Sequence, residues 1–147
     1  MPPVTHSLVK ALRTVPDFEP LEEHDLLQIV GASANLFWPA GSIIFRAGQP
    51  AEALFVILSG EVRIFQTQDG REEEISRIGP DCSFGELSLL LHTSHTKDAQ
   101  AVQDSEIMVI PEAYFERLME ENQEFAAHFR RRVQERMPLQ GDVPGTT

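Results

Sequence analysis

The residues best suited to binding a ligand lie in one stretch, FGELSLLLHTSHTKD, at positions 84–98. Gly85 has no side chain, so its backbone can come close to an anion. After Glu86, a short helical turn over LSLLL would direct backbone N–H groups and a partial positive charge toward the same point. The stretch therefore predicts a site for a small phosphate-bearing ligand. Where a cation should face the anion, the stretch has His95, Thr96, Lys97 and Asp98.

Other kinds of chemistry have weaker support in the sequence. His92 and His95 form a candidate metal-binding pair, but no cysteine or third histidine lies close to them in sequence, so no metal site is predicted. Cys82 is the only cysteine, which excludes an internal disulfide. A Gly-rich phosphate loop, a nucleophile elbow and a His-Glu-x-x-His run are all absent. We therefore assign no catalytic residue and predict that the chain is not an enzyme.

Composition indicates a single globular domain. The chain has 147 residues, of which 41% are hydrophobic and 24% charged. No apolar run approaches the roughly 18 residues of a membrane-spanning helix. The N-terminal residues MPPVTHSLVK have neither the basic start nor the long apolar block of a signal peptide. Together with the single cysteine, these features predict a cytoplasmic protein without a membrane span.

The charge distribution argues against nucleic-acid binding. The net charge is −11, whereas phosphate contacts from basic residues supply most nucleic-acid affinity. The cluster Arg130–Arg132 is the exception. It lies near the end of a predicted helix that begins with glutamates. Acidic residues at the start of a helix and basic residues at its end complement the helix dipole. We interpret the cluster as structural.

The pattern along the chain predicts helices, then strands, then a helix. Residues 1–34 form the N-terminal helical segment, and residues 35–110 contain short runs rich in Ile, Val and Phe with turn pairs between them. Gln68-Asp69-Gly70-Arg71 predicts a tight hairpin. Many short strands indicate a sandwich or barrel of mainly β structure. A helix at 111–137 and a disordered tail at 138–147 complete the expected domain.

An apolar stripe on the last helix leaves two interpretations open. Phe125, Phe129, Val133 and Met137 recur every four residues and so share one helix face. The stripe either packs on the protein's own strands and N-terminal helices or forms a dimer. The second interpretation is slightly favoured, because a helix of this length extends beyond what a small sandwich can cover.

In order and spacing, the motifs GSIIFRAGQPAEALFVILSGEVRIF and FGELSLLL resemble the cyclic-nucleotide-binding domain family. That family includes the sensor domain of catabolite-activator-type regulators, the regulatory subunits of protein kinase A and cyclic-nucleotide-gated channels. The resemblance implies an eight-stranded, jelly-roll-like β-roll (a double-stranded β-helix) with N-terminal helices and a long C-terminal helix. It also implies a phosphate-binding cassette at 84–96, in which Glu86 accepts a hydrogen bond from the ribose hydroxyl. The candidate ligand-binding residues are Phe84, Gly85, Glu86, Leu87, Ser88, His95, Thr96 and Lys97. The implied ligand is cyclic AMP or cyclic GMP, with another small anion or a modified nucleotide as the alternative.

The cassette departs from the family pattern where the phosphate should bind. An arginine is expected nine residues after Glu86, and His95 stands there instead. Histidine lacks the planar fork and the permanent charge of arginine. Lys97 could restore the positive charge, because its long side chain is flexible. Asp98 would repel a phosphate unless its side chain points elsewhere. Loss of a buried charge-assisted contact costs about 1.5–3 kcal/mol, roughly a ten- to hundredfold loss of affinity.

Two functions from different classes follow. The first is a regulatory domain that senses a small phosphate ligand with a degenerate cassette and signals through its C-terminal helix. The alternative is a ligand-independent protein–protein interaction or dimerisation module on the same fold, acting as a homodimer through 111–137 or with an unidentified partner. Direct DNA binding is not expected, because no helix-turn-helix pattern follows the last helix.

Overall fold

The computed structural model describes the backbone of residues 3–141 and the side chains of residues 8–132. Within that range, helices flank eight strands, as the sequence predicts. The helices are α1 Pro3–Arg13, a 3-10 turn at Pro16–Phe18, α2 Glu23–Ala32, α3 Glu86–Leu91, α4 Glu112–Glu121 and α5 Gln123–Gly141. The strands are β1 Ala34–Trp38, β2 Ile43–Phe45, β3 Ala53–Ser59, β4 Val62–Gln68, β5 Arg71–Ile78, β6 Ser83–Phe84, β7 Asp98–Ala101 and β8 Ser105–Pro111.

The strands form two antiparallel sheets, which confirms the predicted β-roll. One sheet has the strand order β1-β8-β3-β6 and the other β2-β7-β4-β5. The hairpin between β4 and β5 turns at Asp69 and Gly70, with φ of 55° and 77°. Two successive positive φ values are typical of the tight turn predicted from Gln68-Asp69-Gly70-Arg71.

Two apolar clusters lie on opposite faces of the first sheet. Strand β3 contributes to both, since its side chains alternate between the faces. Leu54 and Val56 belong to the cluster that the helices cover, whereas Phe55 and Ile57 belong to the cluster inside the roll. A strand buried on both faces accounts for the unbroken apolar run ALFVIL.

The C-terminal helical region differs from the prediction of one helix over 111–137. It contains two helices, α4 and α5, which are separated at Asn122. Asn122 has a non-helical backbone (φ −129°, ψ 96°), and its side-chain Nδ2 donates to the Leu118 carbonyl at 3.1 Å. An asparagine side chain that bonds nearby backbone competes with helix continuation, which explains the break.

The helix also ends later than predicted. The expected tail at 138–147 begins with four residues that belong to α5, which passes Pro138 and ends at Gly141. A proline removes one backbone donor, and this disfavours helix continuation without forbidding it. Residues 142–147 of the predicted tail lie outside the described residues.

The apolar stripe of α5 is partly accounted for within the chain. Phe125 and Phe129 are fully buried and pack with Phe18 and Phe115 in the cluster beneath the helices. For these two residues the structure therefore agrees with the interpretation of packing on the protein's own elements. The side chains of Val133 and Met137 lie outside the described ones.

Candidate functional site

A cavity of about 330 Å³ opens between the β4–β5 sheet and the segment that contains α3. All eight of the candidate residues selected from the sequence line it, so the fold brings both ends of the stretch 84–97 to one place. The lining residues are Phe45, Ile64, Ile75, Ser76, Ile78, Ser83, Phe84, Gly85, Glu86, Leu87, Ser88, His95, Thr96 and Lys97.

Gly85 is required at its position by both its backbone and its surroundings. It has a left-handed backbone (φ 88°) at the point where β6 passes into α3. A Cβ atom added there would lie 3.2 Å from the ring of Phe55 and 3.5 Å from the carbonyl oxygen of Ala53. Since L-residues disfavour this φ and the space is narrow, glycine holds the start of α3 close to β3.

Glu86 is the first residue of α3, and its side chain is almost fully buried, with 1% of the residue exposed. Arg132, which lies on α5, places Nη2 3.4 Å from Glu86 Oε1. A buried carboxylate needs such partners, because burial without them strongly disfavours the charged form. The carboxylate of the cassette is therefore in contact with the last helix.

The same arginine takes part in a second buried contact, which we call the Asp17 cluster: Asp17, Ser83, His128 and Arg132. Ser83 Oγ donates to Asp17 Oδ2 at 2.6 Å, His128 Nε2 lies 2.9 Å from Asp17 Oδ1, and Arg132 Nη1 donates to Asp17 Oδ2. Burial raises the pKa of Asp17, but the hydrogen bonds from Ser83 and His128 and the contact with Arg132 outweigh it, so the pKa is lowered. The cluster joins the 3-10 turn, β6 and α5.

The roles of Asp17 and Arg132 could not be predicted from the sequence. Nothing in the sequence singles out Asp17, and Arg132 is interpreted there only as part of a basic helix end. One signal was present in the sequence. His128 and Arg132 are four residues apart, so they share a helix face with Phe125 and Phe129 rather than with the exposed side.

His95 forms part of the cavity wall as an aromatic ring. Its imidazole stacks on Phe45, with ring centroids 3.6 Å apart and planes inclined by 6°. Its backbone is held by two hydrogen bonds, from its own N–H to the Gln49 carbonyl and from the Gly48 N–H to its carbonyl. Burial lowers the pKa of His95 below its ordinary value of about 6.5. At neutral pH the residue is therefore a neutral imidazole.

Two polar side chains follow His95 at the cavity. Thr96 is exposed and Lys97 is half-buried, and both line the cavity. In the described part of the chain, the Lys97 ammonium makes no ion pair. Asp98, by contrast, is buried and accepts a hydrogen bond from the Ala47 N–H at 2.7 Å. Asp98 thus fixes the loop after β2 and does not line the cavity.

The candidate histidine pair does not come together. His95 stacks inside the roll, whereas His92 is exposed and faces Glu112 and Glu116 of α4. Among residues 3–141, no helix combines the length and apolar character needed to cross a bilayer.

Comparisons with solved structures identify the fold. The sensor domain of the transcriptional regulator DNR from Pseudomonas aeruginosa superposes with a TM-score of 0.87 at 23% identity, covering 99% of this chain and 97% of that one. Thermus thermophilus Catabolite Activator Protein gives a TM-score of 0.74 at 28% identity, covering 87% and 60% of the two chains. The regulatory domain of Toxoplasma gondii PKA with cAMP gives 0.73 at 26%, covering 78% and 44%.

Curated relatives match over part of their own length. The Cyclic AMP receptor protein of Thermus thermophilus is 38% identical over 74 residues, which are 50% of this chain and 34% of the relative. Lysophospholipase NTE1 of Chaetomium globosum is 30% identical over 108 residues, which are 73% of this chain and 7% of the relative. The chain thus spans about a third or less of these relatives.

The family model described as Cyclic nucleotide-binding domain matches residues 36–122, from β1 to the end of α4. That range contains the whole cavity lining and more than half of the chain. This protein therefore belongs to the cyclic nucleotide-binding domain family.

Proposed function

We propose that this protein is a regulatory domain that binds a small phosphate ligand, a cyclic mononucleotide, in the cavity beside α3. One observation carries the proposal: the eight candidate residues, chosen from the sequence, line a single cavity. Its volume of about 330 Å³ falls in the range of small-molecule pockets, roughly 300–1,000 Å³.

The sugar and the phosphate contact opposite ends of the cassette in this proposal. Glu86 accepts a hydrogen bond from the ribose hydroxyl, as the family resemblance implies. Lys97, not His95, supplies the charge to the phosphate, since His95 is neutral and stacked on Phe45. Ser88 and Thr96 add hydroxyl donors at the same cavity. A lysine is a point charge without the bidentate fork of arginine, so binding is weaker than in a cassette with arginine.

Signalling runs through the contact between Glu86 and Arg132. A ribose hydroxyl that approaches Glu86 competes with Arg132 for the same carboxylate, and this weakens the contact between the cassette and α5. The ligand then shifts the population of α5 positions by no more than its difference in affinity for them. Lysophospholipase NTE1 and the cyclic AMP receptor protein contain such a domain within a longer chain, which is the setting where a moving helix could act on a neighbour.

Calorimetric titration of cyclic AMP and cyclic GMP at pH 6 and pH 8 tests the proposal. We expect similar binding at both pH values, loss of binding in Glu86→Ala, a clear loss in Lys97→Gln and no change in Glu120→Gln. Glu120 is an exposed glutamate on α4 and serves as the matched control. Binding that weakens at pH 8 would assign the phosphate to a protonated His95 instead. A folded protein that binds neither nucleotide would overturn the proposal.

The competition itself has a separate test. Arg132→Gln should strengthen nucleotide binding, because the contact that the ligand must displace is gone. Arg131→Gln is the control, since Arg131 is an exposed neighbour on the same helix. Equal affinity in both variants would remove α5 from the signalling route while leaving the ligand site intact.

One observation favours the alternative, an interaction module. Among residues 3–141, edge strand β1 pairs only with β8, and it exposes 45% of Leu36 and 62% of Phe37. If the protein works as a binding surface, Phe37→Ser should weaken self-association or partner capture while Glu86→Ala leaves it unchanged. Sedimentation at several protein concentrations would detect a homodimer, including one formed through α5.

A further inference from the structure

We propose that His92, Glu112 and Glu116 form a binding site for a divalent transition-metal ion, with Zn²⁺ as the best match. This site lies outside the nucleotide cavity and does not depend on the proposed function. His92 follows directly after α3, and the two glutamates lie one turn apart on α4. Residues 20 or more positions apart in the chain therefore meet on one surface.

The distances between the donor atoms suit a metal ion. His92 Nδ1 lies 3.7 Å from Glu112 Oε2 and 3.5 Å from Glu116 Oε2, and all three donor atoms lie within 4.8 Å of one another. Zinc binds imidazole nitrogen and carboxylate oxygen at about 2.0–2.2 Å, which places two ligands of a tetrahedral ion about 3.4 Å apart. An ion could bind with only small side-chain movement.

The donor set selects the class of ion. One imidazole nitrogen and two carboxylate oxygens suit Zn²⁺ and neighbouring first-row ions such as Co²⁺. Mg²⁺ and Ca²⁺ prefer oxygen ligands alone, so they should bind more weakly. The three residues are exposed or half-buried, so water can complete the coordination shell.

The three side chains have no competing role in the described part of the chain. Apart from their mutual contacts, the side chains of His92, Glu112 and Glu116 take part in no hydrogen bond or ion pair there. Glu112 and Glu116 are like charges at i and i+4, an arrangement that disfavours a helix unless a cation lies between them. A bound ion would remove that repulsion.

A second cluster of the same residue types provides a contrast. Glu22, His24 and Asp25 also bring three donor atoms within 4.8 Å. Their carboxylates, however, already form the capping box of α2, in which Asp25 accepts from the Glu22 N–H at 3.0 Å. Metal binding there would remove a helix cap, so this cluster is a control and not a candidate site.

An ion at the proposed site would join the end of α3 to the first two turns of α4. Helix α3 is part of the candidate cassette at 84–96, and α4 is the helix that follows β8. Binding of the ion should therefore slow hydrogen exchange in α3 and raise the melting temperature by mass action.

Calorimetric titration of Zn²⁺ into the full chain, without nucleotide, tests the site. We expect one Zn²⁺ per chain and a loss of affinity of roughly tenfold or more in His92→Asn and in Glu116→Gln. Asparagine suits position 92, because His92 has a left-handed backbone (φ 55°) that asparagine adopts readily. His24→Asn, in the control cluster, should bind Zn²⁺ like the unaltered protein.

Thermal melting with and without Zn²⁺ gives an independent readout. The ion should stabilise the unaltered protein and His24→Asn, but neither His92→Asn nor Glu116→Gln, while all four melt cooperatively without the ion. Zinc binding of unchanged affinity in His92→Asn and Glu116→Gln would overturn the proposal. So would the same weak binding in all four proteins, which would leave the three residues as an ordinary ion-pair cluster.

Discussion

The two ends of the candidate cassette, at Glu86 and at His95, are both buried but differ in their electrostatic surroundings. Glu86 contacts the guanidinium of Arg132, which also contacts the buried Asp17. His95 has no such charged partner among the side chains that the structure describes; it stacks on Phe45, and burial lowers its pKa. One end of the cassette thus belongs to a network of charges, and the other to an aromatic wall.

This difference separates recognition of the sugar from recognition of the phosphate. The end that contacts α5 keeps the carboxylate that the family resemblance assigns to the ribose. At the end expected to bind the phosphate, the neutral ring of His95 lies where the family resemblance implies an arginine with a permanent charge. A ligand would therefore influence α5 more through its sugar than through its phosphate.

We expect the largest loss of stability from removing Phe129, which packs beneath Arg132 at the Glu86 end of the cassette. Phe129→Ala should lower the free energy of unfolding by about 3–5 kcal/mol, because it empties a fully buried aromatic position. Phe129 contacts Phe115 and Phe125, and the Arg132 guanidinium lies 5.8 Å above its ring. Urea denaturation measures the change. Phe37→Ala, at an exposed aromatic, should change stability little, and an equal loss in both variants would contradict the assignment.

Restoring charge at the neutral end should change binding by the next largest amount. His95→Arg should strengthen cyclic AMP binding by about 1.5–3 kcal/mol, roughly ten- to hundredfold, since arginine supplies a permanent charge and a bidentate donor. Its planar group can still stack on Phe45. Calorimetry compares it with His24→Arg, which adds the same charge at an exposed site. An equal gain in both variants would indicate nonspecific attraction of the anion.

Removing the charge of Arg132, which contacts the Glu86 end of the cassette, should lower stability. Arg132→Gln should lower the free energy of unfolding by about 1–3 kcal/mol, because the buried Asp17 loses a charged donor. Urea denaturation beside the exposed control Arg131→Gln measures the difference. If the two variants are equally stable, the Asp17 cluster contributes nothing to holding α5.

The pH dependence of the free energy of unfolding also distinguishes the two ends. We expect this effect to be the smallest. The pKa of His95 is lower in the folded than in the unfolded chain, so its stabilising contribution is present above about pH 6.5 and is lost as the pH falls below that value. One proton is involved, so the slope is at most about 1.4 kcal/mol per pH unit. Urea denaturation from pH 7.5 down to pH 5 should show a decline that His95→Gln reduces.

Asp17 titrates in a different window, which keeps the two effects apart. Its pKa is lowered on folding, so its contribution is lost only as the pH falls below its ordinary acidic range. A decline between pH 7.5 and pH 5 that is identical in His95→Gln would mean that His95 is not the group responsible.

Local sequence patterns were enough to predict much of the fold and the position of the cavity. The pairs of turn residues, the alternating strands and the Asp69-Gly70 hairpin depend on backbone preferences of neighbouring residues. The residues of 84–97 are close in sequence and include a glycine with a demanding backbone, and the family resemblance of this stretch predicted the candidate site. The replacement of arginine by His95 was visible without a structure.

Other features depend on contacts that no local pattern encodes. The break at Asn122 was missed because the apolar periodicity continues through it, and the side-chain bond to Leu118 is only one of several an asparagine can make. The meeting of His92 with Glu112 and Glu116 depends on how α3 and α4 pack.

The family, the β-roll and eight of the residues that line the cavity follow from the sequence alone, because the motifs that carry the family resemblance consist of residues close together in the chain. The charge state of His95 and the contact of Glu86 with Arg132 depend instead on the tertiary structure. Asp17 and Arg132 are 115 positions apart, and their contact exists because apolar burial brings α5 onto the 3-10 turn. His95 is buried separately, inside the roll against Phe45, and this burial makes it neutral.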